Sequence, residues 1–389
     1  MLGGGETHIR TLAAQLVEAG WGATVVTRRS DASWPAAETM DGVDVVRVAP
    51  SGPARAGKYK MVPAALRALL RPSLRYDLLV VRGTRVLGLP GVLAARLRGV
   101  PVVLQPEIDG EMSGRAYVWG TPLEGTGWWQ AVRAGVGVRN LFFRDGDAFV
   151  AMSRAIEAEM RAARMPREKV EYLPHGIDTA RFRPADPAER AALRAALGLP
   201  PDALVIAWTG RLLRGKGLEA LLDAFAAVGR GPAGARLVLV GSGAGQALSV
   251  EDALRARAAL PDLAGRVVFT GRADDVAPVL RAADVFAFPS DVEAVGLSLL
   301  EAAACGLACA GSRTGGIVDV LEDGVNGLLV APRDTAGLVR TLDVLARDPA
   351  LRARLGAAAR RTVIERFDQE QSARRYRTLF AELLARRGA

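Results

Sequence analysis

FAFPSDVEAVGLSLLEAAACGLACAGS, residues 286–312, is the stretch around which the rest of the chain is organised. An apolar strand over 284–288 precedes a short loop, and an apolar helix begins near Ser298. The backbone amides at the start of such a helix lie at the positive end of its dipole, where phosphates and other anions bind. The amides in question are those of Val295, Gly296 and Leu297. The pattern therefore predicts an anion site at the start of this helix.

Two carboxylates flank these amides, Glu293 before them and Glu301 after them. A carboxylate repels phosphate but accepts hydrogen bonds from hydroxyls, as the acidic residue of a dinucleotide fold does with a ribose. An anion site between two hydroxyl-binding acids matches the polarity of a nucleotide sugar. A structural alternative stays open, because Ser298 and Glu301 have the spacing of a capping box and Glu301 then lies in the first helical turn.

The stretch resembles the E-x7-E signature of retaining glycosyltransferases of family 4, with Glu293 and Glu301 as its glutamates. Ala294 and Val295 stand where the family commonly has Gly and Phe. The resemblance implies the α/β fold called GT-B, in which two Rossmann-like, doubly wound parallel-sheet domains face a cleft. It also implies that Glu293 holds hydroxyls of the donor sugar and that Glu301 holds the ribose.

A second loop, TGRLLRGKG at 209–217, follows a predicted strand and precedes a predicted helix. Arg211 and Lys216 place two cations at that helix N-terminus, which predicts a diphosphate clamp. The spacing is not that of a P-loop, and a basic surface loop is the alternative. The loop resembles the family's G-R-x(4)-K-G segment. The later LVLVGSGAG has Gln246 at the third glycine position, so it is an incomplete dinucleotide fingerprint.

Two further regions are assigned to the donor. Arg272 follows a predicted strand over 267–271, at the exit that contacts the nucleotide base in the family. The N-terminal glycine loop precedes a helix over 6–19, and Gly4 and Gly5 allow close approach of donor phosphates. A flexible terminus is the alternative. Because such a loop normally follows a strand, and the family begins with one, we expect the first strand of this sheet to be missing.

The acceptor side is assigned to the region after a predicted strand over 100–104. Many family members have a His at this point that contacts the transferred sugar, whereas this chain has Gln105, Pro106 and Glu107, followed by Glu111. We predict Gln105, Glu107 and Glu111 as acceptor-side residues. His175 lies in a segment that resembles the family's hinge, and we interpret it as structural.

Alternation of strand and helix patterns along the chain predicts doubly wound parallel sheets. The length, 389 residues, exceeds that of one ordinary core. We expect an acceptor-binding domain over 1–175 and a nucleotide-sugar domain over 203–368. The last helix, 369–389, commonly crosses back to the first domain in this fold.

The net charge is +9, and between Arg47 and Val100 eleven Lys or Arg accompany a single acid, Asp77. This imbalance indicates an anionic partner. The segment over 58–75 combines an apolar helical stripe with basic residues, so it can lie on an anionic membrane or pack its stripe inward. With no apolar run of ~18 residues and no signal peptide pattern, we expect a cytoplasmic protein, with the inner face of the cytoplasmic membrane as a peripheral location.

Metal chemistry has little support in the sequence. The chain contains two cysteines, Cys305 and Cys309, and two histidines, His8 and His175. Paired cysteines without further ligands are most simply buried free thiols in a reducing compartment. No nucleic-acid recognition motif accompanies the positive charge. We therefore expect no metal, no other cofactor and no nucleic acid.

The sequence predicts a retaining hexosyltransferase-type enzyme (EC 2.4) that uses a UDP-, GDP- or ADP-sugar. Glu293, Arg211 and Lys216 are its predicted catalytic residues, and the acceptor is a sugar or a lipid-linked glycan. Two alternatives remain: a non-catalytic nucleotide-sugar-binding protein and a Rossmann-type oxidoreductase. The incomplete glycine motif counts against the oxidoreductase.

Overall fold

The computed structural model describes residues 4–52, 57–118, 121, 126–228, 234–246 and 248–388. The chain divides into two compact units. One comprises Gly5–Pro174 together with Glu370–Ala389, and the other contains His175–Gln369. We call them the N-terminal and the C-terminal unit. The first division falls between Pro174 and His175, inside the segment that resembles a hinge.

The N-terminal unit has seven strands among the described residues: β1 (Thr24–Arg28), β2 (Ala37–Met40), β3 (Val43–Val48), β4 (Leu79–Arg82), β5 (Val102–Gln105), β6 (Ala148–Ala151) and β7 (Val170–Tyr172). Its first seven helices are α1 (Gly4–Glu18), α2 (Gly57–Lys60), α3 (Val62–Leu69), α4 (Thr84–Arg98), α5 (Arg115–Val118), α6 (Trp128–Phe143) and α7 (Arg154–Ala162). Two sheets result, with orders β1-β3-β2 and β4-β5-β6-β7.

The C-terminal unit is built on β8 (Leu204–Thr209), β9 (Ala235–Val240), β10 (Val267–Gly271), β11 (Val285–Phe288), β12 (Ala308–Ser312) and β13 (Leu328–Val330). Its helices are α8 (Pro187–Ala196), α9 (Leu218–Ala227), α10 (Glu251–Ala258), α11 (Ala277–Ala282), α12 (Leu297–Ala304), α13 (Ile317–Val320), α14 (Thr335–Arg347) and α15 (Pro349–Arg366). The final helix, α16, spans Gln369–Gly388. The six strands form one sheet in the order β10-β9-β8-β11-β12-β13.

All pairs in the six-stranded sheet are parallel. Parallel strands are covered by helices on both faces, which is why β11 and β12 are buried at every position. The prediction of a doubly wound α/β fold is confirmed. The carboxyl ends of β8, β11 and β12 meet at one edge, where such folds bind their ligands.

One strand escaped the sequence analysis. β2 pairs antiparallel with β3, so the first sheet is mixed rather than purely parallel. β2 is mostly exposed and lacks an apolar alternation. The available signal was Asp41-Gly42, a dipeptide typical of two-residue hairpin turns, and both residues have positive φ, 52° and 75°.

The last helix packs in the N-terminal unit. Tyr376, Phe380 and Leu383 of α16 form a buried cluster with Val103, Ala148, Val150 and Leu173 of the β4–β7 sheet. Leu12 and Leu16 of α1 are partly buried and pack against this cluster. The unit therefore needs residues from both ends of the chain to close its core.

Part of the apolar stripe of the segment 58–75 packs inward. Ala65 and Ala68 of α3 are buried with Val48 and Met61, and Arg67 and Arg71 lie on the exposed side. Of the predicted stripe, Ala65 is buried, whereas Val62, Leu66, Leu69 and Leu70 are half-buried. Packing within the unit therefore accounts for part of the stripe, and the membrane-facing alternative stays a prediction. No helix among the described residues is both long and apolar enough to cross a bilayer.

Both cysteines are buried and free. Burial raises the pKa of Cys305 to about 12 and raises that of Cys309 further. The interpretation of these residues as buried thiols is confirmed. Their sulfurs are held as neutral groups inside the C-terminal unit.

Candidate active site

The loop after β8 brings the predicted diphosphate clamp to the edge of the sheet. Gly217 caps α9 in the left-handed region, with φ of 69°, and a Cβ there would overlap the carbonyl of Pro289. This close packing places the loop directly beside the end of β11. Lys216 Nζ donates a hydrogen bond to Glu293 Oε2 at 2.7 Å. Two of the three predicted catalytic residues, Lys216 and Glu293, are thus brought together as an ion pair.

Arg211 lies on the same loop and is exposed. Its Nη1 is 3.5 Å from Gln246 Oε1, a long contact with the loop after β9. An exposed guanidinium with a weak partner can turn toward an anionic ligand at little cost in free energy. The sequence therefore located both cations, and the structure shows that only Lys216 is tied to a carboxylate among the contacts described.

The second loop ends at Gly296, which caps α12 with φ of 81°. The helix begins at Leu297, so Ser298 is not the cap and no side chain caps this terminus. The capping-box alternative is wrong, and so is the placement of Glu301 in the first turn, which contains no acid. Leu299 donates its N–H to the Gly296 carbonyl at 2.9 Å, which leaves the amides before it, at Leu297 and Ser298, as those to which an α-helix gives no internal partner. They lie directly after Glu293 and Val295, where the sequence predicted an anion site.

Two glycines that the sequence analysis did not assign to the site support this loop. Gly315 has φ of 48°, and a Cβ on it would overlap the carbonyl oxygen of Glu293. Gly316 donates its N–H to that oxygen at 3.0 Å. Backbone therefore packs on backbone here, which fixes the position of Glu293. The signal in the sequence was the Gly-Gly pair after β12, since adjacent glycines allow such an approach.

Glu301 has an unusual electrostatic environment. Its side chain is partly buried, and desolvation raises its pKa to about 7. Arg181 lowers this pKa, but Arg181 is itself paired with Asp275 at 2.8 Å. Removal from water without a dedicated cation favours the neutral acid. A carboxyl group held in this way is ready to exchange water for ligand hydroxyls.

The glycines of the incomplete dinucleotide fingerprint have a packing role. A Cβ on Gly241 would overlap the carbonyl of Gly210, and one on Gly243 would crowd the carbonyl of Leu212. The loops after β8 and β9 therefore touch through their backbones. This contact explains the glycines without any dinucleotide.

The remaining donor-side residues are more scattered. Arg272 follows β10 and is exposed, 3.9 Å from Asp274. Gly4 begins α1, whereas Gly3 lies outside the described residues. A Cβ on Gly5 would stand 3.2 Å from Glu107 Oε1. Gly4 and Gly5 therefore belong to the first turn of α1 rather than to a loop before it, and Gly5 approaches a predicted acceptor-side residue within the N-terminal unit.

A second ion pair lies in the N-terminal unit, at the carboxyl ends of β4 and β5. Arg82 Nε is 3.3 Å from Glu107 Oε1. Arg82 Nη1 also lies 3.0 Å from His8 Nδ1. Burial, reinforced by Arg82, lowers the pKa of His8 well below its usual value, so His8 is neutral and Nδ1 accepts. Burial raises the pKa of Glu107, and Arg82 opposes that rise.

The other two acceptor-side candidates have internal partners. Gln105 is buried and donates from Nε2 to the Tyr376 hydroxyl at 3.1 Å. Glu111 is also buried and accepts from Thr84 Oγ1 at 2.7 Å and from the Arg85 amide at 3.1 Å. Glu111 thereby supports the start of α4. Of the three, Glu107 has the accessible carboxylate, with 36% of its side chain exposed.

The described residues include no cluster of three His, Cys, Asp or Glu side chains with the geometry to hold a metal ion.

Comparisons with known proteins extend these observations. Residues 2–181 match the model of "Glycosyltransferase Family 4", and residues 203–348 match "Glycosyl transferases group 1". A D-inositol 3-phosphate glycosyltransferase of Saccharomonospora viridis is 33% identical over 377 residues, covering 92% of this chain and 84% of that protein.

Two further similarities are to a mannosyltransferase and to a solved structure. A GDP-mannose-dependent monoacylated α-(1-6)-phosphatidylinositol monomannoside mannosyltransferase of Corynebacterium glutamicum is 37% identical over 199 residues, or 49% of this chain and 50% of that protein. The solved structure of sucrose-phosphate synthase from Thermosynechococcus elongatus superposes with a TM-score of 0.82. It is 25% identical and covers 98% of this chain and 94% of that one.

These relatives are glycosyltransferases, so neither the oxidoreductase nor the non-catalytic alternative is favoured. The E-x7-E stretch and the basic loop that carried the resemblance are also the two segments that the fold brings together. The chain belongs to glycosyltransferase family 4 and is a glycosyltransferase with the GT-B fold.

Proposed function

We propose that this enzyme transfers a glycosyl group from a nucleoside diphosphate sugar to an acceptor hydroxyl with retention of anomeric configuration. The observation that carries the proposal is the Lys216–Glu293 pair beside the first-turn amides of α12. It joins a cation, a carboxylate and free amides within one loop system. A diphosphate needs the cation and the amides, and the attached sugar needs the carboxylate.

In the proposed reaction the bond between the anomeric carbon and the diphosphate oxygen breaks. A new bond forms on the same face to the acceptor oxygen, and the acceptor proton passes to the departing diphosphate. Negative charge grows on that diphosphate, where Lys216, Arg211 and the amides of Gly296 and Leu297 stabilise it. The step needs no protein base, because the leaving group takes the proton.

Glu293 has two roles in this proposal. It pairs with Lys216 before the donor arrives, which keeps both side chains in place. When the diphosphate takes over Lys216, the carboxylate is released to accept hydrogen bonds from donor-sugar hydroxyls. Glu301 lies about one helical turn after Leu297, the first residue of α12, and accepts hydrogen bonds from the ribose hydroxyls. Arg272, at the exit of β10, lies on the base side of the donor.

We propose that the enzyme needs no metal ion. Arg211 and Lys216 supply the two positive charges that a divalent cation otherwise brings to a diphosphate. We expect turnover to continue in EDTA at a rate within about threefold of that in magnesium, a difference too small to represent loss of a charge contact. A loss of turnover of about 100-fold in EDTA would contradict the proposal that the enzyme needs no metal ion.

The acceptor is proposed to be a hydroxyl of a sugar, or of a lipid-linked glycan, recognised in the N-terminal unit. Glu107 presents a partly exposed carboxylate there, held by Arg82. Such a group accepts hydrogen bonds from hydroxyls and repels anions. The excess of basic residues between Arg47 and Val100 supports a peripheral location on the anionic inner face of the cytoplasmic membrane, where lipid-linked acceptors are available.

The experiment that tests the donor site is a thermal-shift screen with UDP, GDP, ADP and their sugars. A ligand that binds the native state raises the melting temperature. One nucleotide should stand out, which identifies the base. Anomeric configuration of the product, read by NMR with the donor so identified, then tests retention. Absence of any shift in folded protein would contradict the proposal, and an inverted product would contradict its stereochemistry.

A further inference from the structure

Helix α6 buries two polar residues while it leaves several large apolar residues exposed. Arg139 and Asn140 are buried together with Val136 and Phe143. The large apolar residues on its other side are exposed: Trp128 by 68%, Val138 by 57%, Leu141 by 55% and Phe142 by 52%. A helix on the surface of a globular protein normally has the opposite arrangement. Burial within this chain therefore does not account for the apolar side of α6.

The orientation of α6 is fixed by its buried polar residues. Arg139 donates to the Glu111 carbonyl at 2.7 Å and to the Tyr117 hydroxyl at 2.8 Å. Asn140 Nδ2 donates to the Met112 carbonyl at 2.8 Å. Turning the helix to bury its apolar side would leave these groups without partners, which is costly. The exposure of the apolar side is thus a stable feature of the unit.

The neighbouring helix α4 adds a second exposed apolar stripe. Leu89, Leu93 and Leu97 are four residues apart along the helix, and they are 44%, 47% and 64% exposed. The two helices meet where Gly88 faces the Phe143 ring, and Arg96 pairs with Asp145 just beyond the end of α6. We define the α4/α6 face by six residues: Leu89, Leu93, Leu97, Val138, Leu141 and Phe142.

Basic residues outnumber acidic ones in this region, where the carboxylate of Asp145 pairs with Arg96. Neither α4 nor α6 contains an acidic residue, whereas α4 carries Arg85, Arg96 and Arg98 and α6 carries Arg133. α3 packs against α4 and adds exposed Arg67. A second copy of this chain on the same face would bring these arginines together, which is unfavourable. An anionic lipid surface instead neutralises them while the apolar residues enter the headgroup region.

We propose that the α4/α6 face docks on the surface of an anionic lipid bilayer. The purpose of this docking rests on the proposed function, since a membrane-bound transferase meets a lipid-linked acceptor at that surface. The docking itself rests on the exposed apolar residues and the surrounding arginines. The contact differs from the one that the sequence offered, because part of the apolar stripe of α3 is used for packing.

The test uses the full chain and two kinds of vesicle, phosphatidylcholine alone and phosphatidylcholine mixed with phosphatidylglycerol, in a sedimentation assay. The docking variant is Leu93→Ser with Phe142→Ser. The matched control is Leu260→Ser with Val344→Ser, two residues of similar exposure, 49% and 47%, in the C-terminal unit. We expect wild type and control to bind the anionic vesicles alike. The docking variant should bind at least about tenfold more weakly, since two large apolar side chains no longer leave water.

Three results would overturn the proposal: no binding of wild type to anionic vesicles, equal binding by the docking variant, or a wild-type dimer that the docking variant turns into a monomer. The last result would assign the face to a second copy. The melting-temperature shift with the donor nucleotide is measured on every variant. A nucleotide shift without vesicle binding defeats the docking alone, and vesicle binding without a nucleotide shift defeats the proposed function alone.

Discussion

Lys216–Glu293 in the C-terminal unit and Arg82–Glu107 in the N-terminal unit are ion pairs at the carboxyl edge of a parallel sheet, and they expose opposite members. In the C-terminal unit, Lys216 is 25% exposed and its partner Glu293 16%. In the N-terminal unit the order is reversed, with Arg82 11% exposed and Glu107 36%. The first pair therefore presents its cation to a ligand, and the second presents its carboxylate.

This difference suits the two halves of the proposed reaction. A nucleotide sugar brings a diphosphate, which needs an accessible cation. An acceptor hydroxyl donates a hydrogen bond, which an accessible carboxylate accepts. The surroundings reinforce the contrast, because helix amides lie beside Glu293 while neutral His8 lies beside Arg82. The same kind of ion pair thus has two uses, according to which partner is buried.

Removing the cation of the C-terminal pair should have the largest effect. We expect Lys216→Ala to lower kcat at least about 100-fold, or about 3 kcal/mol, because a preorganised charge on the leaving diphosphate is lost. Release of nucleoside diphosphate from the donor measures it. Arg340→Ala, which removes a charge 72% exposed on α14, should leave kcat unchanged. A Lys216→Ala enzyme with near-normal turnover would mean that the pair has no catalytic role.

Glu301 makes the C-terminal site pH-dependent. Its folded-state pKa of about 7 exceeds the ordinary 4.5, so the folded protein binds more protons than the unfolded chain between those values. The free energy of unfolding therefore falls as pH rises from 4.5 to 7. Since one pKa unit corresponds to about 1.4 kcal/mol, Glu301→Gln should be more stable than wild type at pH 8 by at most about 3 kcal/mol. Urea unfolding across this range measures the difference, which should vanish near pH 4.

The affinity for the nucleotide should rise with pH, whereas the free energy of unfolding falls. The ribose is bound by the carboxylate, so affinity of the wild type should fall about tenfold from pH 8 to pH 6 as Glu301 takes up a proton. Titration calorimetry with the identified nucleoside diphosphate measures this. Glu301→Gln should bind weakly at both pH values. A variant that kept the wild-type pH profile would show that another group titrates.

The backbone contact between Gly315 and Glu293 should make a side chain at position 315 destabilising for two reasons, steric overlap and positive φ. Gly315→Ala forces a Cβ into the Glu293 carbonyl, whereas Gly324→Ala has a positive φ of 75° and nothing within 4 Å. We expect Gly315→Ala to cost about 2 kcal/mol more stability than Gly324→Ala, because only the former adds overlap to backbone strain. Thermal unfolding compares them. Equal losses of stability would show that the loop moves to make room for the Cβ, and the contact with Gly315 would then not fix the position of Glu293.

The N-terminal pair should give the smallest effect. Glu107→Gln keeps the shape of the side chain but weakens its hydrogen bond to an acceptor hydroxyl, so kcat/KM for the acceptor should fall about tenfold, or about 1.4 kcal/mol. The Kd of the nucleotide should not change. Glu171→Gln, an exposed glutamate on β7, is the matched control. If Glu107→Gln raised the Kd of the nucleotide, the two pairs would not have separate uses.

The fold was largely predictable because its signals are local. Buried strands such as 284–288 and glycine-flanked helices follow directly from apolar runs and turn residues. The short strand β2 was missed since an exposed strand has no apolar pattern, and its Asp41-Gly42 turn was the only cue. The start of α12 was misplaced because Ser298 has a capping sequence, whereas the chain enters the helix at Gly296, whose φ of 81° favours glycine.

The sequence by itself determined the chemical types at the site: two cations on one glycine-rich loop, two glutamates eight residues apart in the segment from the β11 loop into α12, and a basic first half. These depend on residue identity and spacing, which are local. Only the tertiary structure decided that Lys216 pairs with Glu293, that Glu111 supports α4 while Glu107 stays accessible, and that α6 exposes its apolar side. Each of these depends on which long-range partner satisfies a buried polar group, and no local pattern specifies that partner.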